Sequence, residues 1–461
     1  MKFFRATIIP METKNSNPTI RISEKLAKRL QIPLDLAIIT VQCGLVKITA
    51  LFEIINVENP YVKVDHSILD SLFLLKEEDK ELLVSFNPNT NTLLLGPVIG
   101  LLTEIKEEDT IHLKSIEYFS RELAVFAEEL GAIFYVFSLK EVKGSGHTFL
   151  DGYMLSENKI WLKRSVPFPN VIHNRLHVRK NEQISAFTTF MEELQKYNIP
   201  IFNEHFLNKW DVHNHLVKAT HLHPFLPTTL EYSYENVKKL LEKSDTLFIK
   251  PTSGSQGKQI FKLDQHSDDQ RFSLSYSSLQ QNVTTQYEHL QDIFTRLQPY
   301  TKKRHFIVQT GIDLIQLEGR PVDFRFLCHR RENDTWHVTS AVARVSKTGQ
   351  FVSNLAQGGD MLPVQQVLVQ LFDKKDARHL QKAMKSIALD VCNEISSISD
   401  GIFAELGIDI TVDKNGHPWL IEVNTKPSKN MDKRSENDAV RPSAKAIILY
   451  CLYLVSKTDS T

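Results

Sequence analysis

Within residues 405–427, ELGIDITVDKNGHPWLIEVNTKP, Asp409, Glu422 and Asn424 stand at a spacing that can gather two carboxylates and an amide oxygen as hard ligands. Asp413-Lys414-Asn415-Gly416 is a turn signal flanked by β-branched and aromatic residues, so the stretch reads as a β-hairpin. With those four residues as the loop, Val412 pairs with His417 and Asp409 lies opposite Leu420. Ile408, Ile410, Val412, Trp419, Ile421 and Val423 then share an apolar face. Asp409, Thr411, Glu422 and Asn424 share the other, with Glu422 diagonal to Asp409. Two carboxylates and an amide oxygen suit magnesium, completed by water and phosphate oxygens. The competing explanation is a solvated polar face, which antiparallel hairpins commonly present.

Further candidates lie upstream. An apolar strand over residues 246–250 runs into Pro251-Thr252-Ser253-Gly254-Ser255-Gln256-Gly257-Lys258, whose small residues let backbone N–H groups approach an anion closely. Lys250 adds a cation at the strand's end. The loop is not a Walker A motif, because two residues separate Gly254 from Gly257 and Gln259 follows Lys258. An ordinary glycine-rich hairpin is the alternative. Residues 305–312, HFIVQTGI, form an apolar strand ending in a polar break that can offer backbone groups to an adenine ring. Asp323 and Arg325 fall on one side of a strand and Arg344 on its expected partner. Arginines so placed neutralise a transferring phosphoryl group or bind a substrate carboxylate, and surface ion pairs are the alternative. Residues 353–359, SNLAQGG, add a polar loop containing Asn354. His213 and His215 belong to a helical pattern that turns residues two apart away from each other, which argues against a zinc site.

These residues need several elements to position them. The chain has 461 residues, 42% hydrophobic and 24% charged, the composition of a globular protein long enough for about three domains. Lys plus Arg and Asp plus Glu both number 55, so no overall field points to nucleic acid or an acidic membrane. Four scattered cysteines exclude a Cys-x-x-Cys site and suggest reduced, buried thiols in the cytoplasm. The apolar run over 446–455 is too short to span a bilayer, and no signal-peptide pattern opens the chain. Residues 1–95 read as a small β-rich module and 96–200 as a partly parallel sheet flanked by helices over 117–130 and 186–197. Residues 201–461 add strands over 246–250, 259–263 and 305–310, and an antiparallel pair over 322–328 and 337–345. A polar segment over 264–284 precedes a helix marked by Tyr287, Leu290, Phe294 and Leu297, and helices over 364–372 and 377–397 precede the hairpin. The fold class is α/β (α+β).

FIKPTSGSQGK, IVQTGI, RPVDFR, ARVSKTGQFVSNLAQGG and GIDITVDKNGHPWLIEVNTKPS, in this order, resemble the ATP-grasp proteins and, among them, the YheC/YheD branch of spore coat-associated proteins. The resemblance covers residues 201–428. It implies an ATP-grasp fold over 201–461, with a glycine-loop subdomain over 225–305 and a metal-site subdomain over 306–461, preceded by a pre-ATP-grasp α/β domain. The N-terminal module matches the longer YheD type. By this resemblance Lys250 contacts ATP phosphates, Ser253, Gly254, Ser255 and Gly257 belong to the loop closing over them, and Gln309, Thr310, Gly311 and Ile312 form the hinge packing adenine. Asp323, Arg325, Arg344 and Asn354 lie near the phosphates and metals, with Arg325 and Arg344 serving catalysis. Asp409, Glu422 and Asn424 ligate magnesium. Lys209 occupies the second place of an Asp-Lys pair whose first place holds Asn208, and Ser428 stands where related ligases carry glycine.

The resemblance implies ATP with one or two Mg2+ ions, or Mn2+, as cofactors. It implies a ligase that phosphorylates a carboxylate to an acyl phosphate, which an amine or another nucleophile then attacks. Candidate acceptors are peptides and coat or cortex material, with other coat proteins as partners and the forespore surface or spore coat as location. A structural coat protein that binds ATP without turnover is the rival reading.

Overall fold

The computed structural model describes residues 2–12, 17–57, 59–74, 79–107, 111–142, 146–254, 259–266, 271–277, 282–348, 359–398, 400–429 and 439–458. Seven strands between Phe4 and Leu95 close into a barrel. Their inward residues alternate, as in Ile38–Cys43, where Ile39, Val41 and Cys43 are buried. Closure leaves that sheet without free edges.

The next sheet runs Trp161–Pro167, Phe149–Leu155, Ile133–Phe137, Val98–Leu102, Val171–Asn174, Ile201–Phe202, and its last four strands pair in parallel. IFYVF, VIGLL and VIHN are buried throughout, as parallel strands covered on both faces must be. Phe187, Phe190 and Leu194 of the helix Ser185–Lys196 belong to the core cluster that continues into the barrel. Phe119 and Leu123 of the helix Glu117–Leu130 share a second cluster with Ile447, Ile448 and Cys451 of the C-terminal helix Pro442–Thr458. The apolar run at 446–455 therefore packs on the middle sheet. Among the described residues no helix is long and apolar enough to cross a membrane, and all four cysteines are buried and free.

Two further six-stranded sheets follow. The first runs Thr229–Glu231, Phe306–Thr310, Thr246–Pro251, Phe261–Gln265, Phe272–Ser277, Asn282–Tyr287, with Val237, Leu240, Ile293 and Leu297 from two helices filling its core. The expected polar segment over 264–284 contains the strand Phe272–Ser277 and the start of Asn282–Tyr287. Its missed signal is the alternation of Phe272, Leu274 and Tyr276, which puts one apolar edge of an otherwise polar stretch inward. Tyr287 ends a strand, and the helix begins at Leu290. The last sheet orders Asp360–Pro363, Trp336–Val345, Arg320–Arg330, Glu405–Val412, Pro418–Asn424, with Gln316–Leu317 pairing off this path to Arg320–Arg330, and is backed by Val364–Leu371 and Lys374–Ile398.

A buried ionic cluster fastens the middle sheet to this last one. Arg175 follows the strand Val171–Asn174, and its Nη1 donates to Glu405 Oε2 at 3.0 Å while Nη2 donates to the Pro427 carbonyl at 2.9 Å. His329 Nε2 lies 2.9 Å from Glu405 Oε1, and Lys429 pairs with the same carboxylate. Asn203 adds neutral links, donating to the carbonyls of Glu405 and Thr425 and accepting from the amides of Ala404 and Glu405. Burial alone would raise the Glu405 pKa, yet Lys429, His329 and Arg175 hold it well below the ordinary value of 4.5.

Glu405→Gln keeps the shape but leaves two buried cations without their counter-charge. Denaturant unfolding is expected to show a loss of about 3–5 kcal/mol. Because the folded pKa is depressed, the carboxylate's contribution is present near neutrality and lost as pH falls below 4.5. The variant should lack that acid dependence, and a loss below about 1 kcal/mol would show that the cluster is not a fastening.

Candidate functional site

The hairpin forms where the sequence indicates, with a different register. Asp413 itself pairs with His417, and its side chain accepts from the amides of Asn415 and His417 at 2.9 and 3.0 Å and from Trp419 Nε1 at 2.9 Å. The loop is thus Lys414-Asn415-Gly416, with Gly416 at φ 82°, one residue shorter than expected. Val412 faces Pro418, not His417, and Leu420 faces Ile410, not Asp409. Leu420 joins the buried face, while Trp419 lies opposite Thr411 on the polar side. A bulge then leaves Ile421 unpaired and sets Asp409 directly opposite Glu422, not diagonal to it. Without that extra residue Glu422 would oppose Ile408 and point into the core. The bulge is what delivers the second carboxylate to the polar face.

Neighbouring strands supply the counter-charges. Arg325 is paired in register with Asp409, and Asp323 with Arg344. Arg325 grips Asp409 through Nε and through Nη2, the latter at 2.8 Å, and Arg344 Nη2 reaches the same carboxylate at 3.0 Å. Arg344 also pairs with Asp323. Burial would raise the Asp409 pKa, but the two guanidiniums outweigh it and hold the group ionised below its ordinary range. Burial likewise works against charged Arg344, and Asp409 and Asp323 override it and raise its pKa. Gly407, beside them, leaves the necessary room, since a Cβ there would stand 3.2 Å from Arg325 Nη1. Glu422 pairs with Lys209 at the start of the helix Lys209–Leu216. Asn208, the departure from the Asp-Lys pair, caps that helix by accepting from the Trp210 amide at 2.8 Å. Asn424 lies opposite Gly407, and its Oδ1 accepts from the Lys426 amide at 3.0 Å.

The facing wall comes from the sheet carrying Lys250. Its amine donates to Gln309 Oε1 at 2.6 Å. Burial, then the nearby charge of Lys209, push it down to about 8, with Glu422 acting in the opposite sense. Gly254, Gln309, Thr310 and Ile312 line the cleft. Ser253 is half-buried beside Gly254. Gly311 has a packing reason: a Cβ there would meet Thr246 Cγ2 at 2.6 Å, and its amide donates to the Thr246 carbonyl at 2.7 Å. Ser255, Gly257 and Asn354 lie outside the described residues.

The two walls enclose a cleft of about 1190 Å³ onto which Lys209, Lys250, Asp323, Arg325, Arg344, Asp409, Glu422 and Asn424 converge. That volume exceeds what a drug-sized ligand needs and suits a nucleotide with a second reactant. Among the described residues no three His, Cys, Asp or Glu side chains group as a metal cage. A cation here would draw on Asp409, Glu422 and the Asn424 amide and complete its shell with ligand oxygens, as hard, sparsely liganded Mg2+ does. The donor set fits.

The far end of the cleft is lined by His177, Arg179, Lys426, Lys429 and Arg441, which sequence reasoning did not single out. Lys426 pairs with Glu182, Lys429 with Glu405 and Arg441 with Glu122. Burial pushes both lysines down to about 8. No spacing announces them, because three separate segments meet there only in the fold. His213 stacks on Trp210 and lines the cleft, whereas His215 turns toward Glu394 at 3.6 Å, so the two do not share a ligand.

Residues 198–454 match the family described as YheC/D like ATP-grasp. The chain is similar to the endospore coat-associated protein YheD of Bacillus subtilis (strain 168), at 28% identity over 348 residues, covering 74% of this chain and 75% of the relative. It is also similar to YheC of that organism, at 24% identity over 345 residues, covering 74% and 93%. Among solved structures, the VanG D-Ala:D-Ser ligase from Enterococcus faecalis aligns with 78% of this chain and 99% of its own at 14% identity and a TM-score of 0.45. More than half of the chain, including the bulged hairpin in one wall of the cleft and the strand carrying Lys250 in the other, falls within the matched span, so this protein belongs to the YheC/D-like ATP-grasp family and has the ATP-grasp fold.

Proposed function

We propose that the cleft binds Mg-ATP and activates a carboxylate as an acyl phosphate, which an amine or related nucleophile then attacks. The observation that carries this reading is the direct opposition of Asp409 and Glu422 across from Lys250, with both carboxylates paired to cations. Asp409, Glu422 and Asn424 would hold the metal, which supplies charge neutralisation on the phosphates when bound. Lys250 and Lys209 meet phosphate oxygens. The strand end over residues 309–312 offers its backbone to adenine, and Asp323 fixes Arg344. Arg325 and Arg344 lie where the transferred group gathers charge. Phosphoryl transfer to the substrate carboxylate leaves ADP, and attack by the acceptor expels phosphate. In domain terms, residues 1–95 and 96–200 precede a nucleotide-binding unit over 201–461. The names of the relatives suggest a role in sporulation at the spore coat, with coat proteins as neighbours and peptide or cortex material as acceptor.

Incubation of the purified protein with Mg-ATP and pooled amino acids, peptides or peptidoglycan fragments is expected to release ADP and phosphate only when an acceptor is present. Glu422→Gln should weaken Mg-ATP binding by about tenfold or more, in line with losing one charged contact. ATP binding without turnover on any acceptor would replace the ligase by a structural coat component that retains nucleotide. Unchanged Mg-ATP affinity in Glu422→Gln would remove the metal assignment.

Lys250 gives the pH dependence. Its amine must be protonated to meet a phosphate, and its folded pKa of about 8 lies below the ordinary 10.5. Affinity is therefore present below pH 8 and falls as pH rises through it. Lys250→Arg, whose guanidinium stays charged, should keep its affinity to higher pH in calorimetric titrations. A flat profile in the parent protein would contradict the role of Lys250.

A further inference from the structure

Lys250 ends a directed chain of hydrogen bonds. Its Nζ donates to Gln309 Oε1 at 2.6 Å, Gln309 Nε2 donates to Thr229 Oγ1 at 2.9 Å, and Thr229 Oγ1 donates to the Pro227 carbonyl at 2.9 Å. The chain crosses three adjacent strands. Gln309 is paired in register with Phe248 on one side and Thr229 on the other, and Lys250 shares the face of Phe248 two residues on. Gln309 is 7% exposed and Thr229 5%, so water does not compete freely for either.

The two ends of this chain leave no choice to the middle. An ammonium only donates, and a carbonyl only accepts. Turning the Gln309 amide over would set its NH2 against the ammonium and leave the single Thr229 hydrogen facing two acceptors, the amide oxygen and the Pro227 carbonyl. One arrangement satisfies every group, and it aims the amide oxygen at Lys250.

We propose that Gln309 and Thr229 are positioning residues that act on the nucleotide through Lys250, with the Thr229 hydroxyl fixing the amide orientation that holds the ammonium toward the phosphates. The proposal rests on the reading of Lys250 as a phosphate contact. It gives Gln309 a role different from the direct adenine packing implied by resemblance: its side chain serves the lysine, leaving the backbone beyond it to the ring. Thr229, on an edge strand far from Lys250 in sequence, carried no signal in the chain.

Thr229→Val tests this directly, because it removes the hydroxyl and keeps the branched shape that a strand favours. Mg-ATP binding measured by calorimetry is expected to weaken about three- to tenfold, the range for one lost hydrogen bond. Thr229→Ser should restore binding close to the parent value. In a Lys250→Ala background, Thr229→Val should cause no further loss, since its effect passes through that amine. Gln309→Met, of similar length without hydrogen-bonding groups of that strength, should weaken binding at least as much and reports on the same link should Thr229→Val fold poorly. Parent-like affinity in both Thr229→Val and Gln309→Met, or a Thr229→Val effect that adds in full to Lys250→Ala, would overturn the proposal while leaving the nucleotide site standing. Parent-like affinity in Lys250→Ala would overturn both.

Discussion

Two carboxylates on facing rungs of one hairpin repel each other, and this repulsion governs the arrangement of the site. At a separation of about 5 Å and surface-like screening, the cost is on the order of 3 kcal/mol. Asp409 is also nearly inaccessible to water, which adds to it. The fold meets the cost with cations from three places: Arg325 on the adjacent strand, Arg344 one strand further and Lys209 at a helix start. Each is registered by ladder pairing or by a cap rather than by a flexible loop, so the charges are held before any ligand arrives. A site organised in this way has Asp409 held ionised by two guanidiniums and cations already facing the cleft, which is what an anionic nucleotide with a divalent cation requires.

The same constraint operates four residues earlier on the strand. Glu405 points to the side of Asp409, and there its partners come from the middle sheet and from the segment after the hairpin. Because Arg175 holds both the Glu405 carboxylate and the Pro427 carbonyl, the hairpin's two ends are fixed against the same neighbour. The far end of the cleft, with Arg179 and Arg441, is assembled by that docking. Packing, charge burial and the shape of that end of the cleft are therefore one problem here, solved once.

Much of this was legible in the chain. Alternation and turn residues located the hairpin, the antiparallel pair carrying Asp323, Arg325 and Arg344, and the strand ending in Lys250, and the order of these motifs indicated the ATP-grasp fold. The hairpin register was not legible, because Asp413 shortens the loop by bonding back to it and a bulge at Ile421 corrects the phase two rungs later. Two such shifts are invisible to a period-two reading. The strand Phe272–Ser277 was missed because only every second residue between Phe272 and Tyr276 is apolar. Arg175, Glu405, Lys429 and Thr229 were missed for a different reason: each is an unremarkable residue type whose importance exists only through a partner on another strand or segment.

The central claim is that the opposed carboxylates of the bulged hairpin receive the cation of a bound nucleotide. Crystals grown with Mn2+ and a non-hydrolysable ATP analogue test it most directly through the anomalous signal of the metal. The account predicts a peak at coordination distance, about 2 Å, from oxygens of Glu422 and of Asp409 or Asn424, with the analogue's phosphates directed at Lys250. A metal held by the phosphates alone, with Asp409 still closed on Arg325 and Arg344 and Glu422 on Lys209, would contradict it.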